Sequence, residues 1–226
     1  TKIYEEEGYN PTEIPQLIIE KNLYGFEIDE RAAQLAGMAI MMKARSYHRR
    51  VFRKELKPNI LCYQDLSLSS EEIEDALSRI KINPSDDLLH DFQNMQQATN
   101  LGSLIIPHAE LSEIESSLES VSSTLQTTND LFLKLELNQL QKALATLSLL
   151  AKKYHCVVDN PPYMGGGNMN KPLADFVKTK YPASKSDLMA CFMEAGLKAL
   201  HPKGFLGMIN QHSWMFLSSY EKLREN

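Results

Sequence analysis

The sequence lacks long apolar runs. No stretch approaches the roughly 18 consecutive apolar residues that span a membrane as a helix. The first residues, TKIYEEEGYNPTEI, contain no apolar core of a signal peptide. The composition, 43% hydrophobic and 23% charged, is that of a globular protein. The sequence therefore predicts a globular chain without a membrane span.

The sequence has little cysteine and no metal-binding spacing. Its cysteines, Cys62, Cys156 and Cys191, are odd in number and form no CxxC pair, which favours free thiols in a reducing compartment. The six histidines form neither an HxxxH pair nor a mixed His/Cys ligand pattern. We expect neither a disulfide nor a metal site.

The chain also lacks an excess of positive charge. Its formal net charge of −5 argues against a surface that binds nucleic acid throughout. One exception is KARSYHRRVFRK, Lys43 to Lys54, where cations cluster. Two interpretations are open: a solvated helix end with cations near its C-terminus, or a patch that contacts DNA phosphates.

The apolar pattern predicts an α/β domain with a parallel sheet. A short helix over 11–22 precedes a strand at NLYGFEID, and Asp29 is expected to cap the next helix. NILCYQDL predicts a second strand, and HCVVDN and GFLGMINQ predict two more. Between these two, residues 186–204 predict an amphipathic helix that a Pro-Lys-Gly turn ends.

A helical stretch interrupts this alternation. SSEE at 69–72 fits a capping box, and PSD at 84–86 opens another helix. Apolar residues at 111, 114, 118, 121 and 125, and then at 133, 137, 140, 144 and 147, predict two antiparallel helices. They either pack on each other or present a coiled-coil surface to a partner protein. We expect three segments: 1–66 (α/β), 67–152 (helical insertion) and 153–226 (α/β).

Polar side chains stand at the ends of three predicted strands. They are Glu27, Asp65 and the pair Asp159-Asn160. Because parallel strands end at one edge of a sheet, these residues are expected to line one cleft. An acidic residue at the end of a second strand often holds ribose hydroxyls, although Glu27 is also explained as a helix-cap carboxylate and Asp65 as a turn residue.

The tetrapeptide Asn160-Pro161-Pro162-Tyr163 carries the strongest functional signal. The residue before a proline is held extended, and each proline has a fixed φ and no N–H. The Asn160 amide oxygen and the Pro161 carbonyl can accept both hydrogens of an –NH₂ group, and Tyr163 offers a flat face. The pattern predicts a planar, amine-bearing substrate such as a nucleobase. Gly165, Gly166 and Gly167 form either a loop that closes over it or a flexible linker.

These residues resemble the NPPY motif of adenine-specific DNA methyltransferases that use S-adenosylmethionine. GFEID and the QD of CYQDL resemble the next cofactor motifs, and KSDLMACFMEAGLKALHPKGFLGMINQHSWM is similar to the stretch that follows NPPY in the gamma class. With the long insertion, NPPYMGGGNMN looks most like the PglX-type enzymes of BREX phage-defence systems. The resemblance covers residues 20–66 and 154–226.

The resemblance implies a fold, a reaction and a site. The fold is a partial Rossmann-like methyltransferase sheet that lacks the first strand and its glycine-rich motif. The reaction is methylation of the adenine amino group in DNA, in a bacterial cytoplasm, by a restriction-modification or phage-defence enzyme. Glu27, Ile28, Asp65 and Asn160 would contact S-adenosylmethionine, with Glu27 on its ribose. Asn160, Pro161, Pro162 and Tyr163 would be catalytic. Tyr163 and Gly165–Gly167 would contact the flipped base.

The sequence is expected to be a piece of a larger enzyme. The glycine-rich motif should precede residue 1, and a base-stacking aromatic and a target-recognition domain should follow residue 226. NPPY ledges also occur in enzymes that methylate protein glutamines or RNA bases, so both alternatives stay open. A third is a non-catalytic assembly module that docks a partner protein through the helical insertion.

Overall fold

The computed structural model describes residues 1–53 and 55–225. Its contacts divide the chain into two compact units, Thr1–Gln64 and Asp65–Asn226. The three predicted segments follow a different division, and their boundaries stay a prediction. Among the described residues, no helix is both long and apolar enough to cross a bilayer.

The first unit contains a parallel pair of strands and one long helix. β1 (Tyr24–Glu27) pairs with β2 (Asn59–Cys62), with Glu27 opposite Cys62. The helices are α1 (Lys2–Glu6), α2 (Ile14–Leu17), which continues as a π-helical turn at Ile18–Asn22, and α3 (Glu30–Tyr47), which a 3₁₀ turn at Val51–Arg53 follows. Asp29 caps α3 as predicted, because its Oδ1 accepts the N–H groups of Arg31 and Ala32.

The second unit begins with helices. They are α4 (Ser70–Arg79), α5 (Asp86–Met95), α6 (Ala98–Leu101) with a 3₁₀ turn at Gly102–Leu104, α7 (Leu111–Thr127) and α8 (Leu131–Ala151). The predicted capping box is present, since Ser69 and Glu72 exchange hydrogen bonds at the start of α4. Ser85 caps α5 in the same region.

The predicted pair of antiparallel helices is a self-packed hairpin. The predicted apolar positions Ile114 and Val121 of α7, and Leu137, Leu140, Leu144 and Leu147 of α8, are fully buried. Gln141 of α8 also donates to the hydroxyl of Ser122 of α7 at 2.8 Å. Burial of one apolar stripe from each helix explains why the two helices pack on each other.

The remaining elements carry the NPPY segment. β3 (Tyr154–Asp159) pairs in parallel with β4 (Leu200–Met208), and Asp159 lies opposite Met208. Between them lie a 3₁₀ turn at Gly166–Asn168, α9 (Lys171–Lys180) and α10 (Leu188–Lys198). After β4, 3₁₀ turns at His212–Met215 and Ser218–Tyr220 lead to α11 (Glu221–Glu225). α10 packs its buried Met189, Ala190 and Met193 beside Tyr220 and Leu223.

The helix predicted over 186–204 is wrong at its C-terminal end. α10 ends at Lys198 and β4 begins at Leu200. The pairing shifts from Tyr154 opposite Leu200 to Cys156 opposite Phe205, so residues 201–204 bulge out of the strand. Lys203 has a φ of 66°, and a Cβ on Gly204 would lie 3.0 Å from the His201 carbonyl oxygen. Proline, a left-handed residue and glycine thus form a bulge rather than a helix end.

Other expectations are met in part. The described strands form two parallel pairs, β1–β2 and β3–β4, so the alternation of helices and parallel strands is confirmed. A single continuous Rossmann-like sheet stays a prediction. The helix expected over 11–22 is divided into α2 and the π-helical turn, and α1 and α9 were not predicted.

Candidate active site

In the first unit, Glu27 ends β1 with its carboxylate folded onto the following turn. Its Oε1 accepts the N–H of Ile28 at 2.8 Å and that of Asp29 at 3.1 Å. Its Oε2 accepts no hydrogen bond from the part of the chain that the structure describes. The turn thus fixes one oxygen and leaves the other available for a hydroxyl donor. Ile28 beside it is 58% exposed, as a residue that contacts a ligand must be.

Cys62 lies opposite Glu27 at the same end of the β1–β2 pair. Burial raises the pKa of its thiol, and the nearby carboxylates of Glu30, Glu27 and Asp29 raise it further. The thiol therefore stays protonated at neutral pH beside this acidic turn.

In the second unit, Asp65 is bound by one residue of α6. Its Oδ1 accepts the Thr99 N–H at 2.8 Å, and the Thr99 hydroxyl lies 2.9 Å from both carboxylate oxygens. A carboxylate has about four lone-pair positions, so this arrangement fixes its orientation and leaves room for another donor.

The NPPY segment begins where β3 ends. The Asp159 carbonyl accepts the N–H of Ile209, which extends the β3–β4 pairing by one residue. Asn160 is exposed, and none of the described residues forms a hydrogen bond with its side-chain amide. Burial raises the pKa of the Asp159 carboxyl, and an interaction with the Asn160 N–H offsets part of this increase. An exposed amide thus stands next to a half-buried carboxyl.

The prolines and the tyrosine form a fixed ledge. Pro161 is buried, whereas Pro162 and Tyr163 are exposed. The Tyr163 hydroxyl donates to the Ile209 carbonyl at 2.8 Å, while 45% of the residue is exposed. The ring is therefore anchored at its hydroxyl end and keeps exposed surface, which suits stacking on a planar group.

The three glycines lead away from this ledge along a fixed path. The Met164 carbonyl accepts the N–H of Leu188 at 2.9 Å, and the Gly166 N–H donates to the Ser186 carbonyl at 3.0 Å. Gly165 forms an antiparallel bridge with Asp187, whose carboxylate caps α10. Residues 164–166 of the loop are therefore hydrogen-bonded to the residues at the start of α10. A flexible linker would not have such bonds.

The predicted site residues thus lie in two groups. Glu27 and Ile28 belong to the first unit, and Asp65 and residues 159–167 belong to the second. That both groups meet in one cleft stays a prediction, as do the roles assigned to the individual residues.

The basic segment is exposed at the end of α3. Lys43, Arg45, Arg49, Arg50 and Arg53 are exposed, and none forms an ion pair with a carboxylate of residues 1–53 or 55–225. Lys43 lies 5.6 Å from the ring centre of Tyr47, and Arg45 lies at the same distance from Phe52. Lys54, the last residue of the predicted patch, lies outside the described residues.

Comparison with known proteins identifies the family. The model of the Eco57I restriction-modification methylase family matches residues 21–226. The chain belongs to this family. Membership implies a methyl donor, and with the mixed helices and parallel strand pairs it supports an α/β methyltransferase fold.

Two curated relatives match almost the whole chain. The adenine-specific methyltransferase BrxX of Escherichia coli O9:H4 (strain HS) is 37% identical over 98% of this chain. The adenine-specific methyltransferase PglX of Lacticaseibacillus casei (strain Zhang) is 39% identical over 99% of it. The chain spans about a fifth of their length, 20% and 19% respectively. The resemblance inferred from the NPPY segment is confirmed.

Several residues that shape this region escaped sequence reasoning. Thr99 binds Asp65, Ile209 anchors Tyr163, and Asn170 caps α9. Asn170 was detectable, because Asn followed by Lys-Pro is typical of a capped helix with proline in its first turn. Thr99 and Ile209 were not detectable, because Thr99 lies 34 residues from Asp65 and Ile209 lies 46 residues from Tyr163 in the sequence.

Proposed function

We propose that the complete protein transfers a methyl group from S-adenosylmethionine to the exocyclic amino group of adenine in DNA. The main support is the environment of Asn160. Its side-chain amide is exposed and forms no hydrogen bond with a described residue. A buried proline follows it, and the Tyr163 hydroxyl is bonded to Ile209 just after β4. Two curated relatives with the name adenine-specific methyltransferase support this substrate. Their BrxX and PglX names also support a phage-defence role. A bacterial cytoplasm is the proposed location.

The ledge activates a weak nucleophile. The lone pair of the adenine amino nitrogen is delocalised into the ring. The Asn160 side-chain oxygen and the Pro161 carbonyl each accept one of its hydrogens, which localises that pair. The same acceptors stabilise the positive charge that develops on nitrogen. Tyr163 stacks on the base, which leaves the duplex to reach the ledge.

The residues that would hold the cofactor are Glu27, Ile28, Asp65 and Asn160. The available Oε2 of Glu27 fits a ribose hydroxyl, and the remaining acceptor position of Asp65 fits an amino group. The cofactor, when bound, supplies an electrophilic methyl group on a sulfonium. A Rossmann-like sheet that brings both groups of residues to one edge is part of this proposal.

A pair of substitutions in the complete protein tests these roles. Asn160→Ala removes an acceptor for the amino group, so we expect kcat to fall at least about 100-fold with little change in cofactor affinity. Glu27→Ala removes the ribose contact, so we expect the cofactor Kd to rise about tenfold. The measurements are methyl transfer to unmethylated DNA and calorimetric titration of the cofactor. An Asn160→Ala enzyme with wild-type kcat contradicts the proposed ledge.

Two other targets for the same chemistry follow from the NPPY motif. A protein glutamine and an RNA base also present an –NH₂ group. Transfer of labelled methyl groups to DNA, RNA and protein in parallel separates them, and label in DNA alone is expected. If DNA, RNA and protein all remain unlabelled while the α7–α8 hairpin binds a partner protein, the protein is a non-catalytic assembly module.

DNA is the proposed partner, and the exposed basic segment is its proposed contact. Five cations that form no ion pair with a described carboxylate, beside the exposed rings of Tyr47 and Phe52, fit a phosphate backbone. Gly165–Gly167 are proposed to contact the flipped base, since the bonds to residues 186–188 hold this loop beside the ledge.

A further inference from the structure

We propose that residues 95–100, from the end of α5 into α6, act as a brace that positions Asp65 and the loop after NPPY together. The inference rests on the proposed function, because it assigns the helical insertion a positioning role in methyl transfer. Residues 95–100 form hydrogen bonds on two sides, one toward residues 65–68 and one toward Asn170.

On the first side, the brace binds the segment at residues 65–68, which begins with Asp65 and lies after the end of β2. The Leu66 N–H donates to the Met95 carbonyl at 2.9 Å, and the Gln96 side chain donates to the Leu68 carbonyl at 2.8 Å. Thr99 adds its N–H and hydroxyl to the Asp65 carboxylate. Two donors from one residue fix both the position and the rotation of this carboxylate.

On the second side, the brace binds the far end of the glycine loop. The Asn170 amide nitrogen donates to the Asn100 oxygen at 2.8 Å, and the Asn100 amide nitrogen lies 3.3 Å from the Asn170 oxygen. That oxygen also accepts the Leu173 N–H and caps α9. The loop is thus held at residues 164–166 by the start of α10 and at residue 170 by the brace.

The brace is itself fixed in the core. Met95, Ala98 and Leu101 are at most 4% exposed. Because packed cores deform little, these residues hold Thr99 and Asn100 at a set separation. Asp65 and the loop are consequently placed relative to one another through two adjacent residues.

The two side-chain contacts that the experiments remove, Thr99–Asp65 and Asn100–Asn170, are exposed, so their role in positioning can be tested without unfolding the protein. These contacts lie at the surface, where a single hydrogen bond contributes little to stability. Their loss should therefore leave the complete protein folded. A shift of about 1 Å in a reacting group, however, lowers a rate about 100-fold.

The first experiment compares Thr99→Val with Thr99→Ser in the complete protein. Valine keeps the shape but removes the hydroxyl donor, whereas serine keeps it. We expect Thr99→Val to weaken cofactor binding about fivefold by calorimetry and Thr99→Ser to restore wild-type affinity. Equal cofactor affinity for wild type and Thr99→Val overturns the brace at Asp65.

The second experiment removes the Asn100 amide. We expect Asn100→Ala to lower kcat about tenfold with an unchanged KM for DNA, and to speed amide hydrogen exchange at Gly166 and Asn168 about fivefold. Gln93→Ala, an exposed position on α5, is the matched control and should change neither value. Unchanged exchange at both amides in Asn100→Ala overturns the brace at the loop.

The two proposals fail in different ways. A wild-type enzyme that does not methylate adenine contradicts the proposed function, while amide exchange in Asn100→Ala still tests the brace. A wild-type enzyme that methylates adenine, with Asn100→Ala equal to Gln93→Ala in kcat, contradicts the brace and leaves the function in place.

Discussion

At the scale of single residues, the least expected group beside the candidate site is the Asp159 carboxyl. It precedes Asn160, and burial raises its pKa above the ordinary value of 3.8. A carboxyl whose folded-state pKa is raised binds its proton more tightly in the folded than in the unfolded protein. Its ionisation therefore lowers stability as pH rises through the interval between the two pKa values.

The matching prediction concerns Asp159→Asn. Asparagine has the same shape and no charge, so the substituted chain should be more stable than wild type at pH 7. The difference should disappear below about pH 4, where the wild-type carboxyl is protonated in both states. Urea unfolding from pH 3 to pH 8 measures it. A larger advantage for Asp159→Asn at pH 3 than at pH 7 would contradict the assigned pKa direction.

The sequence indicated most of the candidate site residues, for a physical reason. The roles proposed for Asn160, Pro161 and Tyr163 depend on properties of the residues themselves, such as a fixed φ, an amide acceptor and a flat ring. Their supports, Thr99, Asn100 and Ile209, are ordinary residues whose role depends on what the fold places beside them. No local pattern distinguishes such residues before the fold is known.

At the scale of elements, helix starts were the most predictable features. Asp29, Ser69 and Ser85 begin helices where the sequence indicated, because N-caps depend on the side chain and the next three residues. The end of α10 was predicted wrongly, because the partner strand decides where β4 begins. Local sequence does not contain that information.

Ser85 gives a prediction at this scale. Its hydroxyl accepts the Leu88 N–H at 3.1 Å and donates to Glu113 of α7 at 2.8 Å, while its N–H donates to the other Glu113 oxygen. Ser85→Ala should lower the free energy of unfolding by about 1–2 kcal/mol, since it loses a helix cap and a contact between helices.

Ser112→Ala is the control for this substitution. Ser112 is exposed inside α7, where alanine favours the helix, so stability should stay level or rise slightly. Urea unfolding of both variants gives the comparison. Equal stability of the two variants would show that the Ser85 cap contributes little.

At the scale of the whole molecule, charge is unevenly distributed. The chain carries a net −5, yet the exposed cations near the end of α3 form one basic segment. The local cluster of lysines and arginines at residues 43–54 predicted the position of this segment. That its arginines have no described carboxylate partner became visible only in the structure, because ion pairing depends on neighbours distant in sequence.

Reversing two of these charges tests the proposed DNA contact. Arg49→Glu with Arg50→Glu should weaken DNA binding by the complete protein about tenfold or more. The slope of log K against log salt should become shallower by about two, since each lost phosphate contact reduces it by about 0.9. Fluorescence anisotropy at several salt concentrations measures both.

Lys21→Glu with Lys57→Glu is the control for the reversed pair. It changes the net charge equally through two exposed lysines outside residues 43–54. Equal loss of affinity in the two double variants would indicate a general charge effect rather than a contact at the basic segment.

The bulge at residues 201–204 has a practical consequence. His201, Pro202 and Lys203 are exposed, and separate pairings with β3 hold the strand before and after them. Extra residues at the tip of such a bulge need not alter the register of Phe205–Met208, whose end leads to Ile209 and its bond to Tyr163. A peptide tag or a fluorescent dye attached at Lys203 would therefore label the protein while β4, which leads to the anchor of Tyr163, keeps its pairing.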